Sequence, residues 1–279
     1  MELEIDNSLR SKSWRTFPSY YFADPEEKKI REIDNLALFP EKASQDRSLD
    51  PIGFSPLLLV ESKKLGEGYS AVIFRRHQDA VTTRDFEGQI FDFPVLIEQR
   101  TPSYRVLDEF NFQWLMSFTG LHYGSFQNRI GTLTTMKPSK EVNDLSKEKG
   151  RDDFLYGGIM QLIKAQTDYA VRAIARDKEI VHPYYPFFFS FLVLVVDGDV
   201  IEVELDRSEV NLEPVGHGIA ITGYQPPYSD RVLNYLVDVV DRKSFPAYLE
   251  TLQGDRANLV KALVKDKERL VKYFKRAKT

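Results

Sequence analysis

From Phe187 to Val196 the chain runs about ten residues that are apolar apart from Ser190. Such a run is too short to cross a bilayer as a helix, which takes about 20 residues. It is what a strand looks like when both of its faces are buried. A strand covered on both sides needs a layer above and below its sheet, so the run predicts an α/β fold: one mixed β-sheet flanked by helices. Asp197-Gly198 follows as a tight-turn dipeptide, and Val200, Glu202 and Glu204 then alternate with Ile201, Val203 and Leu205. This pattern predicts a hairpin of 181–196 with 199–205. Just upstream, Ile159, Leu162, Ile163, Ala170, Ala173 and Ile174 recur at spacings of three and four and predict a helix over 159–176.

Earlier in the chain, Tyr20–Phe22, Ile30–Phe39, Leu57–Lys63 and Tyr69–Arg75 have strand character, with Asp24-Pro25 and Gly66-Glu67-Gly68 as turns. Residues 76–157 read as a large insertion. It holds a strand at Val95–Ile97, an aromatic cluster (Phe110, Phe112, Trp114, Phe118, Tyr123, Phe126) and a polar run from Lys137 to Asp153. Residues 207–230 read as loop and short strand, Val232–Val240 as strand, and 244 to the end as helix. The expected organisation is one domain over 1–250 and a basic C-terminal helical tail over 251–279 that packs on it or extends from it. Lys261, Lys265, Lys267, Arg269 and Lys272 of that tail suit either a phosphate backbone or plain solvent.

The chain has no cysteine, which excludes disulfides and thiolate zinc sites and fits a cytoplasmic protein. His77, His122, His182 and His217 show no HxxxH or HExxH spacing, so each reads as structural or exposed and any metal is expected on oxygen. A net charge of -4 and a pI near 5.7 exclude binding of nucleic acid through the whole surface but not through a local basic face. The acidic start Met1-Glu2-Leu3-Glu4 is unlike a signal peptide, and no membrane span is expected. There is no Walker A loop, GxSxG elbow or dinucleotide fingerprint.

Two stretches carry chemistry: Arg31-Glu32-Ile33-Asp34, and Pro56-Leu57-Leu58-Leu59-Val60 running into Glu61-Ser62-Lys63. Residues two apart on a strand share a face, so Glu61 and Lys63 point together and Ser62 points away. Asp34 on a neighbouring strand would complete a pair of carboxylates with one ammonium. Two close carboxylates repel unless a cation sits between them, and hard oxygen donors suit Mg²⁺. Such an ion activates water and neutralises charge on a phosphate.

These residues resemble the PD-(D/E)xK, or restriction-endonuclease-like, nuclease superfamily, through Glu32-Ile33-Asp34 and Glu61-Ser62-Lys63. Ile33 stands where the family has its proline, and the 26 residues between Asp34 and Glu61 require a loop insertion. The resemblance implies a restriction-endonuclease-like core and a hydrolase that cleaves phosphodiester bonds, as an endo- or exonuclease. It makes Asp34 the bridging metal ligand, Glu61 the second ligand, the Ser62 carbonyl a further ligand and Lys63 the catalytic lysine. Glu32 and Gln166 are candidate supporting residues, and Glu2 or Glu4 a candidate helper acid. The implied cofactor is Mg²⁺, with Mn²⁺ as a substitute. The implied partner is nucleic acid, DNA first, with room for a homodimer. The alternative is a catalytically silent module of the same fold that binds nucleic acid or a protein. Glu4-Ile5-Asp6 repeats the Glu32-Ile33-Asp34 tripeptide, Asp92 with Glu98 forms a second pair, and the acids near Asp197 a third.

Overall fold

The computed structural model describes residues 1–39, 50, 52–75, 90–92, 121–125, 130–136, 152–177, 185–206, 209–227, 232–265 and 267–277. Its centre is three parallel strands, β3 (Ile52–Lys64), β7 (Tyr185–Asp197) and β11 (Leu233–Asp241). Outside β3 lie β2 (Ile30–Leu38) and then β1 (Arg15–Ala23), both antiparallel to their neighbours. Beyond β11 come β10 (His217–Tyr224), β6 (Ile130–Met136), β4 (Ser70–Arg75), β8 (Val200–Asp206) and β9 (Glu209–Val215). A short β5 (Ile90–Asp92) pairs with the start of β7. The described residues thus form a mixed α/β structure with one large mixed sheet.

Helices cover both faces. Leu58, Val60, Phe191, Val193 and Val195 point to one core, where Ile5 and Leu9 of α1 (Glu2–Ser11) meet Leu249, Leu252, Leu259 and Leu263 of α4 (Phe245–Lys265). Leu57, Leu59, Leu192, Leu194 and Val196 point to the other, under Leu155, Ile159, Leu162 and Ile163 of α3 (Asp152–Asp177). The apolar run is therefore a strand buried on both faces, as expected. Each such side chain contributes about 1.5–3 kcal/mol when fully buried. Among the described residues no helix is long and apolar enough to cross a membrane.

The expected hairpin does not form. Both edges of β7 are taken, by β3 on one side and by β5 and β11 on the other, so β8 finds no partner there. It pairs instead in parallel with β4, from Ala71↔Val200 to Phe74↔Val203. The β3/β7 pair therefore continues as β4/β8, each chain turning at its own glycine. At Gly198 a Cβ would stand 2.9 Å from the Leu65 Cδ1 atom, so a larger residue there would push the Leu65 side chain aside where the two bends meet.

Two further readings change and a third gains detail. The segment 76–157 is not merely inserted: β6 is an interior strand of the sheet, and Leu121 together with Tyr123 of α2 (His122–Ser125) enters the α1/α4 core. The region 207–230 supplies two full strands: β10, whose Ile219 and Ile221 have a core to enter, and β9, which pairs antiparallel with β8. Residue 251 falls inside α4, whose apolar face continues into Leu270 of α5 (Lys267–Ala277). Val95–Ile97, most of the aromatic cluster and residues 137–151 of the polar run lie outside the described residues, while the last two residues of that run begin α3.

A buried carboxylate ties the β1–β2 turn to α3. Asp24, fully buried, accepts the backbone N–H groups of Glu26 (2.9 Å) and Glu27 (3.1 Å), Arg31 Nε (2.8 Å) and Lys164 Nζ (3.1 Å). Burial alone would raise its pKa, but these donors outweigh it and hold it at about 2. Its folded pKa lies below its ordinary value of 3.8, so its stabilisation is present at neutral pH and is lost as pH falls from 3.8 through 2. Asp24→Ala is expected to cost about 3 kcal/mol at pH 7 in urea unfolding. The difference from wild type should shrink toward zero near pH 2, and a difference independent of pH would contradict this account.

Candidate active site

The β2–β3 ladder runs from Leu38↔Leu57 to Asn35↔Val60 and stops there. The next two residues across the gap are Asp34 and Glu61. Side chains take over where the backbone pairing ends. The Ser62 N–H donates to Asp34 Oδ2 at 2.6 Å, the Ser62 hydroxyl donates to the same oxygen, and the Asp34 N–H donates to Glu61 Oε2 at 3.3 Å. A slip in β2 helps to free Asp34. Ile33 and Leu36, three apart, both enter the α3-side core, and opposite Asp34 on β1 Ser19 has a φ of 51°.

Glu61 and Lys63 share the face covered by α3, as their alternation predicts. A Cβ on Gly158 of α3 would come within 3.0 Å of Lys63 Cε and 3.5 Å of Glu61 Cγ, so the helix crosses directly above them. Lys63 Nζ donates to Glu61 Oε1 at 2.5 Å and to Gln161 Oε1 at 3.3 Å, and lies 5.3 Å from the centre of the Phe154 ring. Glu61 is only 4% exposed. Burial pushes its carboxyl up to about 7; the Asp34 charge adds to the rise, and the bond from Lys63 opposes it. A buried carboxylate with another beside it and one ammonium for the pair is short of positive charge. The donor set, two carboxylates next to a strand edge, is hard oxygen and fits Mg²⁺ or Mn²⁺.

Asp34, Glu61, Ser62 and Lys63 are thus brought together. The two supporting candidates are not placed as expected. The Glu32 side chain is exposed and takes a hydrogen bond from the Tyr21 hydroxyl, and among the described residues Glu32 meets the site through its carbonyl, which accepts Gln161 Nε2 at 3.4 Å. Gln166 is buried, and its Nε2 donates to Ser190 Oγ on β7 at 2.7 Å. The polar group that α3 offers to the lysine is Gln161. The signal for it was Gly157-Gly158, a glycine pair one turn earlier in a helical segment, which marks where the helix passes close to another element.

The decoys fall elsewhere. Glu4-Ile5-Asp6 is helical and lies on the other face of the sheet, Glu4 paired with Arg242 and Asp6 with Arg10. Neither Glu2 nor Glu4 is brought to the site by α1. Asp197 faces Arg242, and Glu98 lies outside the described residues. One group had no signal in the sequence. His122, His217 and Asp238, which no spacing rule connects, converge on the α4 side of the sheet. Burial disfavours a charged His122 ring, yet Asp238 and Asp255 hold its pKa up at about 9. His77 and His182 lie outside the described residues.

No family model, curated protein or solved structure matches the chain.

The raised pKa of Glu61 has a direction that can be measured in EDTA. The folded value of about 7 lies above the ordinary 4.5, so the folded chain holds a proton that the unfolded chain has released. This contribution is full below 4.5 and is lost as pH rises through 7, falling by about 1.4 kcal/mol for each tenfold drop in proton activity between the two values. Tm in EDTA is expected to fall between pH 5 and 8 in the wild type and to fall less in Glu61→Gln. Parallel curves for the two proteins would show that Glu61 titrates normally.

Proposed function

We propose that this protein is a metal-dependent nuclease that hydrolyses phosphodiester bonds of nucleic acid, DNA first, on a restriction-endonuclease-like core. The observation that carries the reading is the convergence of Asp34, Glu61 and Lys63 where the β2–β3 ladder ends, beneath α3. The order of elements supports it as well: a helix, an antiparallel β1–β2–β3 meander ending in Glu-x-Lys and, after β4, β5, α2 and β6, a helix and then a strand parallel to β3.

Asp34 and Glu61 would hold the ion. The N–H and C=O of an extended residue leave the same edge of its strand, so the Ser62 carbonyl shares the edge from which its N–H reaches Asp34. Mg²⁺ or Mn²⁺ bound there would supply Lewis-acid stabilisation of the charge that builds on the phosphate. The chain's own residues do the rest. Ser62 fixes the Asp34 carboxylate with two donors. Lys63 presents an ammonium that can orient the attacking water or donate to a phosphate oxygen. Gln161 limits where that ammonium can swing, which keeps it aimed without a reorganisation cost during the reaction.

Nucleic acid suits the rim of the site. Phe154 and Tyr156 on α3 are about half exposed, and Phe154 lies beside Lys63, so a base can stack next to the group that meets the phosphate. The basic residues of α5 belong to the layer on the other side of the sheet, as Leu270 shows by entering the α1/α4 core.

The test uses linear, circular and single-stranded DNA with the purified protein in Mg²⁺, Mn²⁺ or EDTA. Cleavage is expected only with metal, and Asp34→Ala and Lys63→Ala should each lower its rate by about 10²-fold or more. Gln161→Ala should lower it by about tenfold, as loss of positioning does. Metal-dependent cleavage that survives in both Asp34→Ala and Lys63→Ala would overturn the assignment. Binding without any cleavage would make the protein a silent module of the same fold.

A further inference from the structure

On the face of the sheet opposite Glu61, three side chains from distant parts of the chain aim at one point. His122 Nε2 of α2 lies 2.8 Å from Asp238 Oδ1 of β11, and His217 Nε2 of β10 lies 2.7 Å from the same oxygen. The three ligand atoms fall within 4.8 Å of one another. We infer that His122, His217 and Asp238 form a binding site for one divalent transition-metal ion of the zinc type.

The distances fit such an ion. With metal–ligand bonds near 2.0–2.1 Å and tetrahedral angles, donor atoms sit about 3.3 Å apart and the centres of two ligating imidazoles about 5.2 Å apart. The His122 and His217 ring centres are 5.4 Å apart. The rings already hold that spacing, and each imidazole nitrogen needs to move away from the Asp238 oxygen by only about half an ångström.

The surroundings are those that orient ligands. A histidine that binds metal through one nitrogen commonly gives its other N–H to a carboxylate, which fixes its tautomer. His122 Nδ1 is bonded to Asp255 Oδ2, and Asp255 Oδ1 also accepts the His122 backbone N–H at 2.9 Å. The second oxygen of Asp238 accepts the hydroxyls of Tyr123 and Tyr248, each at 2.8 Å, leaving Oδ1 to face the imidazoles. Once the ion takes the place of the proton that His122 otherwise holds between two carboxylates, two neutral imidazoles, the carboxylates of Asp238 and Asp255 and one divalent ion sum to zero charge in a region where Asp238 is fully buried. Imidazole donors select zinc-type ions over Mg²⁺. The His217 side chain, 17% exposed, is the route in.

This site is separate from the one proposed for hydrolysis and does not rest on it. An ion here would join α2, β10 and β11 and, through Asp255 and Tyr248, seat α4. The test uses the Asp34→Ala chain, so that the first site takes no part, stripped with EDTA and titrated with Co²⁺ and then Zn²⁺. One Co²⁺ per chain is expected, with the intense visible bands of a tetrahedral nitrogen-containing site, displaced by Zn²⁺. A rise in Tm of roughly 5 °C or more should accompany it. Adding His217→Ala should abolish uptake while circular dichroism shows the fold retained. A weak octahedral cobalt spectrum, or equal uptake with and without His217, would overturn the inference. The spectrum decides even if that variant does not fold. Absence of uptake would reduce the cluster to a hydrogen-bonded network.

Discussion

Thirteen consecutive residue pairs hold β3 beside β7, from Ile52↔Tyr185 to Lys64↔Asp197. That pairing fixes everything at the proposed active site. Leu57 to Val60 are buried on both faces, so the strand cannot rotate or slide without exposing one core or the other. Glu61 follows in the same register, opposite Leu194, and is carried under α3 whether or not burial suits a carboxylate. It does not suit one. The raised pKa is the direct result, and it creates a demand for positive charge that Lys63 meets only in part.

The end of the β2–β3 ladder supplies the other half. Had the backbone pairing continued past Asn35↔Val60, Asp34 would have faced Glu61 as an ordinary cross-strand pair of like charges, which is unfavourable. Instead Ser62 draws the Asp34 carboxylate to the strand edge with two hydrogen bonds. The gap between the strands is thereby lined with oxygen. Gly158 then lets α3 close over it, since a Cβ there would press on the ends of the Lys63 and Leu194 side chains.

What could be read from the chain alone was local. Alternation put Glu61 and Lys63 on one face, and the apolar run announced a doubly covered strand. Neither needed knowledge of distant contacts. The failures concern which strand neighbours which. Nothing in 199–205 says that both edges of β7 are taken, so a turn dipeptide looked like a hairpin. Gln166 stood out because it lies on the apolar face, while Gln161, half buried one position from Leu162, reached Lys63 through helix placement that periodicity does not encode. The histidine cluster joins residues 122, 217, 238 and 255, which lie too far apart along the chain for any local pattern to link them. Its place on the α4 side leaves the sheet itself between the two proposed metal sites, so either can be altered without touching the other.

The most direct measurement is an anomalous difference map from crystals grown with Mn²⁺, collected at a wavelength where manganese scatters anomalously. A peak about 2.2 Å from a carboxylate oxygen of Asp34 and of Glu61 is the result expected here. Well-ordered carboxylates with no peak between them, at Mn²⁺ concentrations that support binding in solution, would contradict it.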